Sequence, residues 1–191
     1  MSIKPQSTSI ELWEPQIPWI DQLLRAYAPI SDGGEGHTRV VGQAPTGFGK
    51  TTCFCRVLYG TIKHQTDTVV LAHRFKLIEQ ISARLNSFGI THGIIAKGYP
   101  YQPWHKIQLS MIQTYVNKTK RGEVSPAELY IFDEGHHAAA ATFDYIFDFA
   151  PEAHFLAVTA TPERPDGKPL SKRFTKLVCG PSPRWLMTEI N

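Results

Sequence analysis

Short apolar runs alternating with amphipathic stretches constrain this chain more than any other feature. Thr68–Ala72 (TVVLA) and Leu129–Phe132 (LYIF) are too short for helices and too continuous for strands with one wet face. They read as strands buried on both sides, as in a parallel sheet covered by helices. Arg39–Val41, Gly93–Ala96, Ile107–Ser110 and Ala153–Val158 read as further strands. Between them, Phe75–Phe88 carries Leu77, Ile78, Ile81 and Leu85 at helical spacing, and Lys50–Tyr59, Met111–Asn117 and His136–Phe149 read as helices. Segment Glu11–Ala28 reads as a helix interrupted by Pro15 and Pro18, followed by a glycine-rich loop, Ser31–Gly36. Strands alternating with helices imply an α/β fold with right-handed crossovers and a mostly parallel sheet. Ligands in such folds bind beyond the carboxyl ends of the strands.

The chemistry-bearing residues fall at those ends. Ala44-Pro45-Thr46-Gly47-Phe48-Gly49-Lys50-Thr51 follows a strand and opens a helix, the context a phosphate-binding P-loop requires. Gly47 and Gly49 let the backbone N–H groups turn toward phosphate oxygens, and the helix N-terminus adds partial positive charge. Lys50 can reach the β- and γ-phosphates of ATP, and the Thr51 hydroxyl can ligate Mg2+. The first glycine of the common pattern is here Ala44. A glycine-rich turn with an incidental lysine is the plainer reading.

Asp133-Glu134-Gly135-His136 follows the strand Leu129–Phe132. A carboxylate at a strand end beside a P-loop can hold Mg2+, the role assigned to Asp133. Glu134 can polarise the water that attacks the γ-phosphate. By itself such a pair is as readily a helix N-cap. His136 and His137 do not suit a shared metal, because neighbours on a helix point about 100° apart. His136 is expected to face Thr159-Ala160-Thr161-Pro162, at the end of the next strand, where Thr159 and Thr161 either sense the nucleotide state or close a plain turn.

Charge distribution adds a second hint. Between Asp67 and Glu123 the only acidic residue is Glu79, while Arg74, Lys76, Arg84, Lys97, Lys106, Lys118, Lys120 and Arg121 lie in the same stretch. A basic middle attracts phosphate backbones, and solvated helix faces explain it as well. Tyr99, Tyr101 and Trp104, beside Lys97 and Lys106, are either a stacking platform for bases or loop aromatics packed on the domain, with packing favoured. Cys53, Cys55 and Cys179 are too few for a disulfide framework and lack zinc spacing, so they read as buried reduced thiols. No apolar run approaches the roughly 20 residues of a membrane helix, and Met1–Glu11 has no signal-peptide core. The expectation is a cytoplasmic protein with no membrane partner.

Taken together, these motifs resemble superfamily 2 helicases of the DExH type. APTGFGKT resembles motif I, VVLAHRFKLIEQ (69–80) motif Ia, IQLSMIQTYVN (107–117) the DNA-contact segment after it, DEGH motif II and TATPERPDG motif III. LAHR and TATPERPDG bring the chain nearest the branch of DNA-repair helicases and restriction-enzyme motor subunits. The resemblance implies a RecA-like P-loop NTPase domain and an ATP-dependent helicase or translocase. It implies that His73, Arg74, Gln113 and Thr114 line a track for nucleic acid, expected to be double-stranded DNA, and that Thr159 and Thr161 couple hydrolysis to movement. Gln16 stands where the family has its adenine-reading glutamine, but the usual Arg-x-Tyr-Gln surroundings are here Trp13-Glu14-Pro15-Gln16.

On this reading residues 1–36 form an N-terminal helical and loop segment and residues 37–191 the first, ATP-binding lobe. Helicases of this kind need a second RecA-like lobe, in cis or in trans, carrying an arginine finger. Arg164–Arg184 reads as a basic, proline-punctuated tail of the first lobe, and the second lobe is expected to be absent from the chain. The competing reading is a non-catalytic nucleic-acid-binding or interaction module left from a split or truncated helicase. A P-loop kinase would leave DEGH, TATP and LAHR unexplained.

Overall fold

Adjacent residues of the central strands belong to different cores, which is why those strands had to be apolar throughout. The computed structural model describes residues 10–135, 140–161 and 173–182. In the strand Leu129–Asp133, Ile131 joins one core while Tyr130 and Phe132 join the other. Val70 parts in the same way from Val69 and Leu71, Val40 from Val41, and Leu156 from Phe155 and Ala157.

The strands are β1 (Arg39–Gln43), β2 (Thr68–Ala72), β3 (Gly93–Ile95), β4 (Ile107–Met111), β5 (Leu129–Asp133), β6 (His154–Thr159) and β7 (Lys176–Cys179). Among the described residues they form one parallel sheet in the order β3-β4-β2-β5-β6-β1-β7. Helices α1 (Gln16–Tyr27), α2 (Lys50–Lys63) and α3 (Phe75–Ser87) cover one face through Trp19, Phe54, Leu58 and Ile78. Helices α4 (Ile112–Lys120) and α5 (Ala140–Phe149) cover the other through Tyr115, Phe143 and Phe147. This is the α/β architecture expected from the alternating pattern, and none of these helices is long and apolar enough to cross a membrane.

The prolines do not break the first helix. Pro15 is its N-cap and Pro18 lies in its first turn, where a missing N–H removes no intrahelical bond. The expected helix at 136–149 is seen from Ala140; residues 136–139 lie outside the described residues.

Within the stretch expected to be a basic tail, Lys176–Cys179 is instead a strand, β7, paired in parallel with β1 from Val40↔Lys176 to Gln43↔Cys179. Its periodicity was hidden because it is an edge strand: Val178 alone of its four residues is buried.

Register decides where the site forms. Gln43 pairs with Thr159, and Asp133 with Val158, so β1, β5 and β6 end at one level. Ala72 of β2 pairs with Met111 of β4, which brings the segments after those strands together at the same edge.

Candidate active site

Between β1 and α2 the chain turns through two left-handed glycines, Gly47 (φ 85°) and Gly49 (φ 79°). Residues with a Cβ rarely adopt such φ values, so the turn needs glycine at both. The loop is anchored at both flanks: Ala44 N–H donates to Thr159 O at 3.0 Å, and Gly180 N–H donates to Gln43 O. The Ala44 departure is accommodated because its methyl is buried against Gly180, which has no side chain to compete for the space.

Lys50 opens α2 and is nearly buried. Its ammonium donates to the carbonyls of Ala44 (3.1 Å) and Pro45 (3.3 Å) and stands 3.7 Å from Glu134 Oε1. Gly47, Gly49, Lys50, Thr51, Leu77, Asp133 and Glu134 line one cavity of about 330 Å³. Leu77, one of the apolar residues at helical spacing in α3, thus walls the site; nothing in the sequence signals that.

Asp133 is buried, and its pKa is pushed up to about 6. Desolvation is the main cause and the neighbouring Glu134 carboxylate adds to it; Lys50 opposes both. Glu134 itself is held at φ 51°, a left-handed conformation uncommon for a residue with a side chain and shared among the described residues with Gln65 in the turn after α2.

The donor set fits Mg2+. Among the described residues there is no cluster of three or more His, Cys, Asp or Glu side chains. A hard cation that shares its shell with phosphates and water needs only one or two protein oxygens, and Asp133 and Thr51 supply them on the same cavity.

Thr159 is buried. Its hydroxyl donates to Thr161 O at 2.7 Å and accepts Thr161 N–H at 3.2 Å, so both threonines share one tight turn. Thr161 also borders a second cavity, with Gln43, Thr46 and Ser182, on the far flank of the P-loop. His136 and the remainder of TATPERPDG lie outside the described residues.

Gln16 is drawn into the P-loop. Its Nε2 donates to Phe48 O at 2.6 Å, its Oε1 accepts Trp13 N–H at 2.9 Å, and the side chain is buried. Phe48 is buried beneath α1, edge-on to Trp19 with ring centroids 5.5 Å apart.

His73 and Arg74 follow β2, while Gln113 and Thr114 open α4 directly after β4. Because β2 and β4 are neighbours, all four sit at one stretch of the carboxyl edge, on the opposite side of β5 from the P-loop. Much of the basic middle is internally paired: Lys106 with Asp67, Lys118 and Arg121 with Glu123, and Lys76 with Glu79. Arg74 and Lys97 have no ion-pair partner among the described residues.

The aromatic cluster is divided. Lys97 and Tyr99 follow β3 at the carboxyl edge, with Tyr99 against Phe75 at 5.8 Å, whereas Trp104 and Lys106 precede β4 at the other end. All three aromatics are exposed, so packing does not account for Trp104. Cys53 and Cys55 are buried, with burial pushing both thiols up to about 12, as expected for inert core cysteines, whereas Cys179, expected to be buried with them, is exposed because it ends the edge strand β7.

Residues 9–164 match the family of the type III restriction enzyme, res subunit. The chain belongs to that family. Over 125 residues, 65% of this chain and 27% of the relative, it is 30% identical to the DNA 3'-5' translocase XPB2 of Sulfurisphaera tokodaii. The UvsW helicase from Bacteriophage T4 superposes with a TM-score of 0.67 at 12% identity, covering 94% of this chain and 64% of that one. The Sulfolobus solfataricus SWI2/SNF2 ATPase core in complex with dsDNA gives a TM-score of 0.63 at 16% identity, over 84% of this chain and 34% of that one. At such identities the structural likeness speaks for the fold, which is that of the RecA-like helicase domains. This res-subunit family member spans 27% to 29% of the length of the curated relatives it matches.

Proposed function

We propose that this chain is the ATP-binding and hydrolysing lobe of a superfamily 2 DNA helicase or translocase, acting with a second RecA-like lobe in cis or in trans. The convergence of Lys50, Thr51, Asp133 and Glu134 on one cavity at a left-handed glycine turn carries the proposal.

The backbone from Ala44 to Gly49 cradles the phosphates, and Lys50 exchanges its contacts with Ala44, Pro45 and Glu134 for phosphate oxygens. Thr51 and Asp133 hold Mg2+, which when bound neutralises charge on the β- and γ-phosphates. Glu134, released from Lys50, orients a water and accepts its proton. Thr159 and Thr161, one buried and one bordering the P-loop, relay the nucleotide state together with His136. His73, Arg74, Gln113 and Thr114 hold double-stranded DNA at the other half of the carboxyl edge. The second lobe supplies the arginine finger, which elsewhere contributes on the order of 10³–10⁵ in turnover.

The test is equilibrium ATP binding and steady-state hydrolysis by the 191-residue chain, with and without duplex DNA. The expected result is Mg2+-dependent ATP binding that Lys50→Ala weakens by at least about tenfold, equivalent to the loss of one charge-assisted phosphate contact. Any DNA-stimulated hydrolysis is expected to disappear in Glu134→Gln while binding persists. ATP binding indifferent to Lys50→Ala would remove the proposal and leave the non-catalytic binding module in its place.

A further inference from the structure

At the amino edge of the sheet, where β2 and β4 begin, lies a cavity that neither the P-loop nor the proposed track uses. It holds about 240 Å³, and its lining includes Asp67, Tyr101, Lys106, Gln108, Tyr115 and Ser125. β2 and β4 are each five residues long, so roughly 16 Å of strand, at about 3.3 Å per residue, separates it from the carboxyl edge.

Most of the polar side chains around this cavity are engaged within the fold. Gln108 is 8% exposed, and its Nε2 donates to the carbonyls of Gln102 (2.7 Å) and His105 (3.0 Å). Both amide hydrogens are thereby used. The Tyr115 hydroxyl lies 3.1 Å from that of Tyr130 and 3.4 Å from Ser125 O. Lys106 is paired with Asp67 at 2.9 Å. Gln108 Oε1, by contrast, has no hydrogen-bond partner among the described residues. A Cβ on Gly93 would collide with this oxygen, so a glycine on the neighbouring strand gives it room. A buried acceptor without a donor is costly, and a ligand that brings a donor removes that cost.

The same corner displays two aromatic rings. Tyr101 lines the cavity and is 42% exposed; Trp104, just outside it, is 69% exposed. Trp104 sits on a turn closed by His105 N–H on Gln102 O at 3.2 Å and braced by Gln108, so its display is built into the loop. The cavity is large enough for a flat ring system, since about 150 Å³ already admits benzene. Bases stack on aromatic side chains whatever their sequence. Because Asp67 already neutralises Lys106, attraction for phosphate contributes little here. An exocyclic amine, as on adenine or cytosine, projects from the ring edge and can meet a buried oxygen. The ring N–H of thymine lies between two carbonyl oxygens, which would crowd that same acceptor.

We infer that this cavity takes a nucleobase bearing an exocyclic amine, from an unpaired strand or a free nucleotide, with Tyr101 against the ring and Gln108 Oε1 accepting from the amine. Where the base belongs to a strand, Trp104 is placed to receive its neighbour. The site does not depend on ATP binding at the P-loop.

Anisotropy titration of the full chain with dye-labelled oligodeoxyadenylate tests it, at about 0.5 M salt to suppress phosphate-driven binding on the track. This strand should bind at least about tenfold more tightly than an abasic strand of the same length, the gain expected of stacking. Replacing every amine by hydrogen, or adenine by thymine, should cost about tenfold. Tyr101→Ala should bring the adenylate strand to the abasic level, and Tyr101→Phe should keep most of the difference. Ser125→Trp, at an exposed lining position, should fill the cavity and abolish base-dependent binding. Competition with deoxyadenosine monophosphate separates the two sources. Displacement at concentrations matching the strand's own affinity assigns the site to a free nucleotide. A strand about tenfold tighter or more, with that margin lost in Trp104→Ala, assigns it to an unpaired strand. Equal affinity for adenine, amine-free purine and thymine strands would overturn the inference. So would base-dependent affinity indifferent to Tyr101→Ala and Ser125→Trp, abasic strand binding as tightly as adenylate, or no binding at all. Each of these results leaves ATP binding and its dependence on Lys50 to be read separately.

Discussion

At the scale of single residues the site is held in a state its own chemistry opposes. Asp133 is buried beside Glu134, and among the described residues the Lys50 ammonium stands against both carboxylates. Its pKa of about 6 in the fold lies above the ordinary 3.8, so the folded chain holds this proton more tightly than the unfolded one. The contribution of Asp133 to folding stability is therefore highest below the ordinary value, falls as pH rises from about 4 to about 6, and is level above that. Asp133→Asn removes the titrating group. In Mg2+-free buffer the variant should be more stable than the parent at pH 7–8 by on the order of 1–3 kcal/mol and nearly equal to it at pH 4. Urea denaturation at both pH values measures this; a constant difference across the range would rule the account out. The same residue shows how far sequence could reach. A carboxylate at a strand end beside a P-loop pointed to Asp133, but its raised pKa depends on burial and on the Glu134 carboxylate outweighing Lys50. The left-handed backbone of Glu134 and the inward amide of Gln16 likewise had no signature in residue order.

At the scale of elements, what was legible tracks how completely each element is buried. β2 and β5 are buried throughout, and their limits were read to within one residue. β7 has one buried residue and charged or exposed neighbours, so no pattern announced it until β1 was in place beside it. The packing of α1 shows the same dependence on partners. A methyl added at Gly42 of β1 would fall 2.8 Å from the Trp19 ring and 3.2 Å from Leu23. Trp19 also donates through Nε1 to Val178 O of β7 at 3.4 Å. A helix across two strands thus depends on a strand position with no side chain. Gly42→Ala should destabilise the fold by roughly 1–3 kcal/mol, the usual range for an overpacked core. Trp19→Phe, itself destabilising, should cost less in the Gly42→Ala background than in the parent. A double-mutant cycle reads the coupling, and strict additivity would show that the two do not compete for space.

At the scale of the whole molecule, the strand order separates two tasks along one edge. β1, β6 and β5 carry the P-loop, the paired threonines and the carboxylates; β2 and β4 carry His73, Arg74, Gln113 and Thr114. β5 and β2 are hydrogen-bonded neighbours, so whatever moves Asp133 and Glu134 is one strand away from the proposed track. Arg74 is the clearest cation of that track: it caps α3, is exposed, and has no ion-pair partner among the described residues, whereas most lysines of the basic middle are already neutralised. Phosphate contacts set affinity through counterion release, so removing one changes the salt dependence as well as the strength. If Arg74 grips a phosphate, Arg74→Ala should weaken duplex DNA binding to the same degree for unrelated sequences. It should also reduce the slope of log affinity against log salt by about 1. ATP affinity should stay as in the parent, since Arg74 lies outside the nucleotide cavity. An unchanged salt slope would move the DNA off β2 and with it the coupling route through β5, while leaving the nucleotide site as described.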